Sequence, residues 1–105
     1  MALELTLEER IRLGIAWLDA YGPKGWRRKI TAAIKADRFY LGSPSHCVLG
    51  ELYGDYCTGI EKLQISDGYA IGFDKDYQGT DDYVTMTREW KRLYKLGQRR
   101  ARGLK

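Results

Sequence analysis

The chain has 105 residues, 44% of them hydrophobic and 30% charged, with two cysteines and a net charge of +4. That balance describes one globular domain spanning residues 1–105 and excludes a disordered segment. No apolar run approaches the roughly 20 residues needed to cross a bilayer, which excludes a membrane-spanning protein.

The elements follow in chain order. Thr6 and Glu9 have the spacing of a capping box, and Leu7, Ile11, Gly14, Ile15 and Leu18 then recur at three- and four-residue steps. This is the apolar stripe of a first helix, which Gly22 and Pro23 end. A second, shorter helix is predicted over PKGWRRKITAAIKA, with Trp26, Ile30, Ala33 and Ile34 on one face. Phe39, Tyr40 and Leu41 form a short apolar link expected to tuck under the body. Ser43-Pro44 has the chemistry of a helix start. From there Leu49, Leu52, Tyr53, Tyr56, Ile60 and Leu63 keep helical spacing over about four turns, which predicts one continuous third helix.

Gly50 and Gly54 lie four apart within that helix, where each glycine costs about 1 kcal/mol relative to alanine. Close approach of another backbone is the expected reason, with Gly14 of the first helix as the partner. Ser66-Asp67-Gly68 is a turn, and the alternation of Tyr69, Ile71 and Phe73 reads as an extended connector laid on the core. The last helix opens around Thr80 to Asp82 and buries Tyr83, Met86, Thr87, Trp90, Leu93 and Tyr94. The fold expected is mainly α: a compact domain of three to four helices, with an irregular connector at about 64–80 before the last helix.

Five features bear on function. On one helix, Cys47 and Cys57 would stand roughly 15 Å apart, beyond the reach of a disulfide or of a shared zinc ion. With no signal-peptide pattern, the expected compartment is a reducing cytoplasm. His46 beside Cys47 would project about 100° away from it on a helix, so the pair does not form a nucleophile and its base. Glu51 and Asp55 would share a face and, with Asp74, could bind a divalent ion. Pairing with arginine or lysine, or capping a loop, is the plainer role. No catalytic residue, cofactor or metal site is expected.

Residues 88–105 hold eight basic residues against one acid, Glu89, a charge of +7, so residues 1–87 carry −3. Arg88, Lys91, Arg92, Lys95, Arg99, Arg100 and Arg102 are the candidate contacts to nucleic acid, although a solvated helix end has the same composition. Eight tyrosines are many for so small a core, and Tyr53, Tyr56, Tyr69 and Tyr77 are the candidate contacts to a protein partner.

The stretch CVLGELYGDY (Cys47 to Tyr56), followed by Gly72-Phe73-Asp74 and a helix containing Trp90, resembles a group of small proteins of bacteriophages that infect actinobacteria. Leu18-Asp19 and Gly25-Trp26 resemble the opening of that group, and the likeness spans roughly residues 11 to 95. It implies a phage origin and no particular activity. The expectation is a non-enzymatic accessory protein that docks on a host or phage protein in the cytoplasm. The alternative is a nucleic-acid-binding accessory protein using the basic C-terminal helix.

Overall fold

The computed structural model describes residues 5–75 and 82–103, and the side chains of 98–103 are excluded from that description. Five α-helices occur among the described residues: α1 (Leu7–Tyr21), α2 (Trp26–Lys35), α3 (Val48–Tyr53), α4 (Tyr56–Lys62) and α5 (Tyr83–Gly103). A 3₁₀ turn, Tyr69–Ile71, lies between α4 and α5. α1 packs against α5 and the 3₁₀ turn, α2 against α3, and α3 against α4.

α1 begins as its capping box predicts. The Glu9 amide donates to Thr6 Oγ1 at 3.1 Å, and the Thr6 amide donates to Glu9 Oε1 at 2.9 Å. Its Ile11 and Leu18 join Ile30, Val48, Leu49, Phe73, Met86 and Trp90 in the sealed core. α5 buries most of the face expected of it, with Met86, Thr87, Trp90, Leu93 and Tyr94 inside and Tyr83 only half-buried. Its first turn is capped by Asp82, whose Oδ1 accepts from the Thr85 amide at 2.7 Å.

The long third helix predicted from Ser43 to Leu63 is instead two short ones. Gly54 adopts φ +97°, which a helix interior does not allow, and its amide closes α3 on the Gly50 carbonyl. Asp55 then captures the Cys57 and Thr58 amides at 2.7 and 3.2 Å and starts α4. The helix start also moves. Cys47 is the cap of α3, while Ser43 to His46 form a turn in which the Ser43 carbonyl accepts from His46 and Cys47. The glycine pair therefore does not meet α1. A Cβ on Gly50 would lie 2.3 Å from the Pro44 carbonyl oxygen, so this glycine admits the turn that precedes its own helix.

Gly14 meets a different neighbour. A Cβ there would lie 2.2 Å from the Ile71 carbonyl oxygen and 3.2 Å from the Phe73 ring. Residues 69–73, expected to be extended, curl instead into the 3₁₀ turn. Gly72 at φ +77° closes it, and the Phe73 amide donates to the Gly68 carbonyl at 2.8 Å. Residues 76–81 of the expected connector lie outside the described residues.

Gly14→Ala should lower stability by about 1–3 kcal/mol, the usual range for overpacking a filled interior. Urea unfolding should show a lower midpoint with an unchanged slope. An unaltered midpoint would mean that the 3₁₀ turn does not seat on α1.

Candidate functional site

An open groove of about 560 Å³ lies between α5 and the link that follows α2. Phe39, Tyr40, Val84 and Thr87 line it together with Arg88, Lys91, Arg92 and Lys95. Four of the seven basic residues read from sequence as nucleic-acid contacts thus fall on one site. Arg99, Arg100 and Arg102 lie on the continuing backbone of α5, and their side chains are outside the described residues.

The basic residues differ in their commitments. Arg92 bridges helices: its Nη2 donates to Glu8 Oε1 of α1 at 2.7 Å, and its Nε to Glu89 Oε2 at 3.0 Å. Hydrogen bonds to Glu89 first and Glu8 second raise its pKa further above the ordinary arginine value. Arg88, Lys91 and Lys95 form no ion pair among the described residues.

The apolar side of the groove depends on the link 39–41. Thr87, buried on α5, accepts from the Leu41 amide at 2.9 Å and donates to the Tyr83 carbonyl at 2.7 Å. This pins the link to the helix with Phe39 and Leu41 turned into the core, and Tyr40, between them, remains 42% exposed. Tyr40 therefore does not tuck under the body as expected of the whole link. The alternation in-out-in across Phe39-Tyr40-Leu41 was the signal available for it. Val84, in the first turn of α5, is 58% exposed.

The tyrosines proposed as partner contacts are elsewhere. Tyr53, Tyr56 and Tyr69 are half-buried, and Tyr77 lies outside the described residues. The Tyr69 ring lies under the Arg10 guanidinium, 4.2 Å from its centroid. Among the described residues, the exposed tyrosines are Tyr21 and Tyr40.

The three carboxylates considered for metal binding serve three separate tasks. Glu51 receives Arg38 Nε at 3.0 Å and lies 3.1 Å from His46 Nδ1, Asp55 caps α4, and Asp74 accepts from the Tyr83 hydroxyl at 2.8 Å. Among the described residues no three His, Cys, Asp or Glu side chains are grouped to hold a metal ion. His46 is thus a partner of Glu51 rather than of Cys47.

The two cysteines are both free thiols, Cys47 buried and Cys57 exposed. Because the chain turns at Gly54, they do not lie along one helix, and both line a cavity of about 150 Å³ with Tyr56, Asp74 and Tyr83. Burial pushes the Cys47 thiol up from its ordinary pKa, so it is a poor nucleophile. Burial first, and the Asp74 carboxylate second, push the Tyr83 hydroxyl up to about 12.

A thiol reagent should label Cys57 at once and Cys47 only on unfolding; equal rates in the folded protein would contradict the packing of α3. The second prediction concerns acid. Burial of Glu51 raises its pKa, but Arg38 and His46 outweigh burial and hold it below the ordinary 4.5. Its ionised form thus stabilises the fold at neutral pH, and that contribution is lost as pH falls from 4.5 through the lower folded value. Glu51→Gln should flatten the acid limb of a stability–pH curve; an unchanged limb would remove Glu51 from its causes.

Comparisons of the chain with models of protein families, with curated proteins and with solved structures find no match.

Proposed function

We propose that this chain is a non-enzymatic phage accessory protein that binds nucleic acid along α5 in the host cytoplasm. The observation that carries the reading is the row formed by Arg88, Lys91 and Lys95 on the rim of the groove. The three cations follow one another at three- and four-residue steps and have no ion-pair partner among the described residues. The register of α5 continues the row to Arg99 and Arg102, one position roughly every 5 Å along the helix axis. Regularly spaced cations displace the counterions condensed on a phosphate backbone, which favours binding without regard to sequence. The sequence likeness to phage proteins supports the origin, and two free thiols suit a reducing compartment.

Docking on a host or phage protein, the first expectation from sequence, draws less support. Tyr53, Tyr56 and Tyr69 present only part of their surface, whereas the α5 groove gathers charge and exposed apolar area at one place.

Fluorescence anisotropy with a labelled oligonucleotide tests the reading. Affinity should fall on the order of a hundredfold between about 50 and about 200 mM salt if four phosphates are neutralised. Lys91→Ala with Lys95→Ala should reduce the salt slope by about 0.7–0.9 per lost contact. Replacing Arg99, Arg100 and Arg102 by alanine should weaken binding further. Salt-independent binding, or none at low salt, would sink the proposal.

A further inference from the structure

We infer that the ligand of the α5 groove is single-stranded and that one of its bases stacks on Tyr40; this rests on the nucleic-acid reading above. Two unlike surfaces meet in the groove. Tyr40 and the exposed Val84 lie together at one end, and the cations Arg88, Lys91 and Lys95 run along α5 from there. A ligand that fits both must carry regularly spaced negative charge and a flat apolar face on the same strand.

Tyr40 is built as a fixed platform. Its amide donates to the His46 carbonyl at 3.0 Å, and its own carbonyl accepts from the Ser43 amide at 3.2 Å. The next residue, Leu41, is tied to buried Thr87. The ring is held as well. It packs edge-to-face on Tyr83, with centroids 6.3 Å apart and planes at 70°. Tyr83 is in turn fixed through its hydroxyl to Asp74. A Cβ on Gly42 would lie 2.5 Å from the Tyr40 ring, so only glycine lets the ring take this position. An aromatic ring anchored through backbone and edge, yet 42% exposed, loses little freedom when a base settles on it.

A duplex keeps its base faces inside its own stack. It would satisfy the cations and leave Tyr40 without a partner. A single strand presents phosphates and base faces together, which is the combination that cationic grooves with aromatic platforms recognise. An acidic protein segment matches the charges but has no phosphate spacing or base to stack.

The test uses the full chain with fluorescein-labelled oligo(dT), a duplex of equal length and a poly-glutamate peptide at one fixed low salt concentration. Oligo(dT) should bind at least about tenfold tighter than the duplex. Tyr40→Ala should weaken oligo(dT) about tenfold, the scale of one lost base–aromatic stack, while leaving its salt slope and the duplex affinity unchanged. Tyr40→Trp retains a stacking face, should retain the affinity, and should be quenched by oligo(dT) but not by duplex. Equal or tighter duplex binding, a silent Tyr40→Ala or an unquenched tryptophan would overturn the inference. If the duplex binding that remains is salt-dependent and sensitive to Lys91→Ala with Lys95→Ala, the proposed function stands and only the stacking assignment falls. If neither nucleic acid binds and poly-glutamate does, both fall.

Discussion

The indole of Trp90 is the contact on which the rest of the molecule depends. It is fully buried on α5, its N–H donates to the Gly72 carbonyl at 2.7 Å, and its ring stacks on Phe73 with centroids 5.7 Å apart. A buried indole N–H needs such a partner, because leaving it unmet costs about 1–3 kcal/mol. The partner is available only because Gly72 takes φ +77° while lying so close to α1 that a Cβ would sit 2.7 Å from Ile11 Cα. Gly14 opens α1 from the other side. The 3₁₀ turn is thus wedged between the first and last helices, and both must be in place for either to pack.

From this wedge a line of contacts leads outward. Phe73 stacks on Trp90, the adjoining Asp74 holds the Tyr83 hydroxyl, and Tyr83 supports the edge of Tyr40. The exposed ring is therefore referenced to the core through side chains rather than through a loose loop. α5 serves the same double purpose. Trp90, Leu93 and Tyr94 bury one face, Arg92 ties the flank to Glu8, and Lys91 and Lys95 line the groove. Its basic residues gather toward the C-terminal end, where the helix dipole favours them.

Much of this was legible in the residues. The Thr6–Glu9 box, the stripe of α1, the buried face of α5 and the basic end all followed from spacing and composition. The break at Gly54–Asp55 did not, because apolar positions on either side keep helical spacing as if the helix were continuous. Asp55 is equally at home on a helix surface and at a cap, and the choice is made by tertiary packing: a Cβ on Gly59 would lie 2.6 Å from Leu49, so α4 folds back onto α3. The Gly50–Gly54 spacing suggested one cause for two glycines that have different ones, a close carbonyl at the first and a positive φ at the second. Half of the groove was visible as charge. Its aromatic half was not, since nothing local distinguishes Tyr40 from its buried neighbours except the alternation of a link too short to show a period.

The corner at Gly54–Asp55 has a further consequence. Both residues are exposed, a Cβ on Gly54 would meet no atom within 4 Å, and the corner satisfies its own hydrogen bonds through the Gly54 amide and the Asp55 carboxylate. The chain has here a seam at which residues can be added without disturbing the wedge at Gly72. A protein this small has few such places, and this one would let the sequence lengthen, or accept a grafted label, while the groove keeps its shape.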